Sequence, residues 1–123
     1  MAMTQGWIGV DLDGTLAHYE GWQGADKIGE PIPLMVQRVK AWLEQGKIVK
    51  IVTARVSVEN NGGFSKFQVI SIIHDWCQKH IGQRLPITHE KDFSMIELWD
   101  DRCVQVIPNT GKRADGKEPA LIP

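Results

Sequence analysis

Two β-branched apolar runs, "WIGVDLD" (7–13) and "KIVKIVTAR" (47–55), each end in polar residues, and a segment of helical period follows each. In the first such segment Met35, Val39, Trp42 and Leu43 recur on one helix face, with Arg38, Lys40 and Glu44 opposite and Gly46 placed as a C-terminal cap. The second runs from about Ser65 to His80 and sets Val69, Ile70, Ile73, Trp76 and Cys77 on one face, with Gly82 past its end. Strands alternating with helices of this length form βαβ units, which require a mainly parallel sheet with helices on its faces. Three shorter runs, 86–90, 95–101 and 103–107, bring the expected sheet to about five strands. The segment from Ala17 to Glu30 has no lasting period and reads as loop or short hairpin, and "VSVENNGG" (56–63) reads as a flexible loop.

A chain of 123 residues is long enough for one core and too short for two, so residues 1–123 are expected to form a single domain. The segment 108–123, rich in Pro, Gly and Lys, is expected to wrap the surface as a tail. Hydrophobic residues make up 42%, as in globular proteins, but no apolar run approaches the roughly 20 residues of a membrane span. The start, "MAMTQGWIGVDLDG", lacks the basic and then apolar pattern of a secretory signal, which makes a cytoplasmic location the expectation. With 14 Lys+Arg against 15 Asp+Glu there is no global field to gather nucleic acid non-specifically. Cys77 and Cys103 lack metal-ligand spacing and are expected to be small core residues. His18, His74, His80 and His89 show no zinc pattern.

Open parallel sheets bind ligands at the carboxyl ends of their strands. Asp11 and Asp13 end the first run, Thr53 and Arg55 the second, and Asp100 with Asp101 end "MIELWDD" (95–101). Residues far apart in the chain are therefore expected to meet on one edge. Several carboxylates held together need a compensating cation, and hard oxygen ligands suit Mg²⁺. Phosphoryl chemistry uses such a metal and leaves carboxylates free for covalent and proton-transfer roles.

"DLDGTL" (11–16), "VTAR" (52–55), Lys91 and "WDD" (99–101), in that order, resemble the four motifs of the haloacid dehalogenase superfamily of phosphohydrolases. The resemblance spans residues 7–107 and implies a Rossmann-like three-layer sandwich. It also implies that Asp11 is the nucleophile that forms an aspartyl-phosphate, and Asp13 the general acid and base. Gly14 and Thr15 would present the turn to the phosphate. Thr53 would hydrogen-bond the transferring group, and Lys91 would neutralise its charge. Asp100, supported by Asp101, would join Asp11 and the Asp13 carbonyl around Mg²⁺. Arg55 is left to bind substrate or to brace Asp101.

Each of these residues also has a structural explanation: Asp-Gly can be a turn, Thr53 a strand-end cap, Lys91 a solvated charge, and Asp100-Asp101 a surface pair with Arg102. It is their order and spacing that favour the site. The chain leaves no room for a cap domain, so the resemblance implies a capless phosphatase. Its open site would take a phosphorylated small molecule or macromolecule end, or borrow a lid through homo-oligomerisation. Tyr19, Trp22 and Phe64 are the aromatics expected beside it. The link between 86–90 and 95–101 is too short for the usual crossover helix. The alternative is a regulatory phosphoacceptor of the receiver type, in which the acidic pair comes first and the phosphorylated Asp later, or a binding domain with little turnover. Here "DLDG" comes first and the pair last.

Overall fold

The computed structural model describes residues 5–119. In chain order it contains β1 (Trp7–Asp11), α1 (Pro33–Glu44), β2 (Ile48–Val52), a 3₁₀ turn (Ala54–Val56), β3 (Asn60–Asn61), β4 (Phe64–Ser65), α2 (Lys66–His80), β5 (Ile87–Thr88) and β6 (Met95–Trp99). The central sheet has the order β5-β2-β1-β6 with every pair parallel, so the fold is the expected α/β class with a mainly parallel sheet.

Both helices start from local signals. Pro33 opens α1, where its missing N–H costs nothing. Ser65 and Gln68 form a reciprocal capping box at the start of α2. The "NNGG" stretch is a tight hairpin instead of a flexible loop. Asn61 pairs with Phe64, and Gly62 and Gly63 occupy the two positive-φ positions that such a turn demands.

The steps β1-α1-β2 and β2-α2-β5 run in the same direction across the sheet, and right-handed crossovers place both helices on one face. One core results: Ile8, Val10, Val49 and Ile51 from the sheet pack with Met35 and Val39 of α1 and with Val69, Ile73 and Cys77 of α2. Burial pushes the Cys77 thiol up to about 11, as suits a small core residue.

The opposite face carries Trp7, Gly9, Lys50, Ile96 and Leu98 by strand alternation, and no helix covers it among the described residues. Ile96 remains 63% exposed there. Among the described residues, the link back to β6, 89–94, is too short to hold a helix over that face. Trp7 is instead pinned by its indole N–H, which donates to Asp92 Oδ1 at 2.8 Å, and by Lys50 Nζ, 4.5 Å from its ring centre.

Among the described residues the sheet has four strands where about five were expected, because 103–107 forms there a single bridge, Val106 with Arg113. Cys103, expected in the core, is exposed as a consequence. The tail beyond Pro108 is exposed over most of its length as far as Pro119, and the final residues 120–123 lie outside the described chain. The loop 18–30 is tied at its base, where His18 N–H donates to Glu30 O at 2.8 Å. Ala25 anchors it in the core, and the Trp76 indole donates to Gly29 O at 3.0 Å. No helix among the described residues is long and apolar enough to cross a membrane.

Candidate active site

The parallel register brings the ends of β1, β2 and β6 together, as expected from the positions of their polar residues. Asp11 ends β1, while Asp100 and Asp101 follow β6, and one carboxylate oxygen of each lies within 4.8 Å of the others. Thr15 stitches the group together: its Oγ1 accepts from Asp101 N–H at 3.0 Å and lies 3.4 Å from Asp101 Oδ1 and 3.5 Å from Asp11 Oδ2. Gly14 makes this possible at a φ of 89°, and a Cβ there would run into the Asp101 carboxylate. Burial first, then the charge of Asp100 and the hydrogen bond with Asp101, push the Asp11 carboxyl up to about 7.

Asp13 stands apart from that group. Arg55 holds it in a fork, Nε to Oδ2 at 2.7 Å and Nη2 to Oδ1 at 2.8 Å. The same guanidinium donates to Ala25 O at 3.1 Å and Lys27 O at 2.7 Å, fastening loop 18–30 to the end of β2. Arg55 is 5% exposed, and with its donors on Asp13 and the loop it braces these elements instead of offering a free cation to substrate. Of the two roles left open for Arg55, substrate binding and a brace on Asp101, the geometry is that of a brace, made on Asp13. Thr53 is buried beside it and caps the 3₁₀ turn by accepting from Arg55 N–H at 3.2 Å, which leaves its hydroxyl proton to donate.

Asp11, Asp13, Thr53, Arg55, Asp100 and Asp101 all line one cleft of about 570 Å³. Tyr19 and Trp22 line it too, as expected, whereas Phe64 packs against the core. Lys91 is exposed, forms no hydrogen bond or ion pair with any described residue, and is not among the cleft residues, because the link 89–94 turns back toward the start of β6. The cleft also holds His89, Arg102 and Asn61, none of which was expected in the site from the sequence. His89 directly follows β5, so the strand-end rule that located Thr53 and Asp100 would have found it.

The donor set of the acidic group is all hard oxygen, which fits Mg²⁺ and does not fit a softer metal that prefers nitrogen or sulfur. Asp11, Asp100 and Asp101 are the side chains that would hold it.

Fold and cleft together define a small Rossmann-like α/β domain with an acidic pocket at the carboxyl ends of its strands. Among solved structures the chain is similar to a conserved protein of Bacteroides thetaiotaomicron, at 20% identity, 86% coverage of this chain, 84% of that chain and a TM-score of 0.58. At that identity the likeness is one of fold alone. No family model and no curated protein matches the chain.

Proposed function

We propose that this protein is a Mg²⁺-dependent phosphomonoester hydrolase that works through an aspartyl-phosphate on Asp11. The observation that carries the reading is the group formed by Asp11, Asp100, Asp101 and Thr15 at the end of β1, inside an open cleft. Mg²⁺ bound there would offset the negative charge of the carboxylates and of the incoming phosphate. The proposal includes a cytoplasmic site of action and a substrate that is a phosphorylated small molecule or macromolecule end.

In the first step an Asp11 oxygen forms a bond to phosphorus, the bond to the leaving oxygen breaks, and that oxygen takes a proton from Asp13. In the second, water gives a proton to Asp13 and attacks the same phosphorus, breaking the bond to Asp11 and releasing phosphate. Thr53 donates its hydroxyl proton to the transferring group. The Arg55 fork fills two of the roughly four lone-pair positions of the Asp13 carboxylate, and the others remain for this proton. Lys91 has no part in the scheme.

The same fork favours a second reading, a regulatory phosphoacceptor, since a carboxylate tied to Arg55 moves less freely. Phosphate release and intact mass, measured for wild type and Asp13→Ala after brief incubation with p-nitrophenyl phosphate and Mg²⁺, separate the two. A hydrolase releases phosphate, and Asp13→Ala accumulates one phosphoryl group on Asp11 while turnover falls about 10²- to 10⁴-fold. A wild type that stays phosphorylated and releases nothing is a phosphoacceptor.

A further inference from the structure

We infer that the cleft takes a nucleotide phosphomonoester, with its phosphate at the acidic group and its base stacked on Trp22. The placement of the phosphate rests on the hydrolase reading, and the placement of the base on Trp22 and its surroundings.

Trp22 is 52% exposed at the cleft although it is a large apolar side chain. One face of its ring lies on the Arg55 guanidinium, 4.8 Å from Cζ to ring centre. Arg55 is itself clamped by Asp13, Ala25 and Lys27, so the ring rests on a rigid support. Tyr19, also exposed, lines the same cleft. A planar group entering between the acidic group and loop 18–30 meets aromatic surface already held in place, which lowers the ordering cost of binding.

A base fits this rim better than a sugar does. Recognition of sugar hydroxyls needs free directional polar groups, and several candidates in the cleft are committed. The Arg55 donors lie on Asp13, Ala25 O and Lys27 O, Asn61 Nδ2 donates to Arg55 O at 3.0 Å, and Ser57 Oγ donates to Ala54 O at 2.7 Å. The cation beneath Trp22 also draws π density away from the free face. That weakens contacts with sugar C–H groups and suits an electron-rich purine. The volume of about 570 Å³ accommodates phosphate, ribose and base together, and Arg102, which forms no ion pair among the described residues, adds a cation. A free mononucleotide and the phosphorylated end of a nucleic acid share this chemistry.

The test compares adenosine 5′-monophosphate, ribose 5-phosphate, glucose 6-phosphate and a short 5′-phosphorylated oligonucleotide by kcat/KM in Mg²⁺. Non-hydrolysable phosphonate analogues of the first two are titrated in parallel by calorimetry. Base stacking of about 1–3 kcal/mol predicts a preference of roughly 5- to 150-fold for the nucleotide over ribose 5-phosphate, in both turnover and affinity. Trp22→Ala should bring that ratio close to one and Trp22→Phe should keep most of it. Should Trp22→Ala not fold, Tyr19→Ala, which breaks no bond to Arg55, should lower the ratio several-fold. Whether the oligonucleotide or the mononucleotide is the better substrate tells chain end from free nucleotide, and either result supports the inference. A wild-type ratio near one, a ratio that survives loss of Trp22 and Tyr19, or a preference for glucose 6-phosphate overturns it. If no ester is hydrolysed, the hydrolase reading fails, and the calorimetric ratio alone then decides the nucleotide inference.

Discussion

Arg55 and Asp13, 42 residues apart, form a forked ion pair at 2.7 and 2.8 Å in which the Arg55 side chain is 4% exposed. The pair joins the turn after β1 to the turn after β2, and through the Ala25 and Lys27 carbonyls it also holds the loop that carries Trp22. One side chain thus fixes a proposed proton carrier, the support of the aromatic rim and the loop that lines one side of the cleft.

Removing this cation strands a partly buried carboxylate and two loop carbonyls. Arg55→Ala should lose about 3–5 kcal/mol of stability in urea unfolding. Arg55→Lys should recover only part of it, because an ammonium cannot supply the planar fork. If Arg55→Lys matched wild type, the charge alone would be what matters and the fork would be incidental.

Asp11 gives the metal a pH signature. Its carboxyl is raised from 3.8 to about 7 in the folded chain. Between those values the unfolded chain has released the proton and the folded chain retains it, so this group's contribution to stability falls as pH rises through the window. Mg²⁺ relieves the repulsion that costs this stability. The gain in Tm from Mg²⁺ over EDTA should therefore be larger at pH 8 than at pH 5. Equal gains at both would argue against Asp11 as a ligand.

Gly14 serves conformation and space at once. Gly14→Ala places a side chain at a φ of 89° and against Asp101, which should cost about 1–2 kcal/mol of stability from the backbone alone. Displacing Asp101 should also weaken Mg²⁺ roughly tenfold, equivalent to about 1.4 kcal/mol. Stability and Mg²⁺ titration together check this, since strain without displacement would lower the first and leave the second alone.

Lys91 and Asp11 should behave oppositely. Lys91→Ala, at an exposed position outside the cleft, should leave kcat/KM within about twofold, because isolated surface substitutions change little. Asp11→Asn should abolish turnover and phosphoryl labelling, since an amide is a poor nucleophile. A loss above about 10²-fold in Lys91→Ala would mean that the link 89–94 swings its lysine into the cleft during the reaction.

Much of the architecture was legible in the chain. β1, β2, α1 and α2 fall where apolar period and turn residues put them, because such patterns record which residues face the core within one strand or a few helical turns. The parallel sheet follows from the alternation of these elements, and with it the meeting of Asp11, Thr53, Asp100 and Asp101, since side chains at the ends of neighbouring parallel strands have nowhere else to converge.

Other outcomes depend on partners that no local pattern names. The run 103–107 has strand composition, but an apolar run becomes a strand only if an edge accepts it, and among the described residues it forms a single bridge, Val106 with Arg113. Cys103 is exposed for that reason. Among the described residues one sheet face has no helix, because 89–94 must return from β5 to β6 within a link too short to build one. The same return keeps Lys91 out of the cleft despite its place in the motif order. Sequence by itself determined the elements, their parallel order and the strand ends at which carboxylates gather, because these follow from short-range periodicity and crossover geometry. Only the tertiary structure decided that Arg55 grips Asp13, that Trp22 rests on Arg55 and that Lys91 stays outside, because each is a choice of partner made by packing across the whole domain.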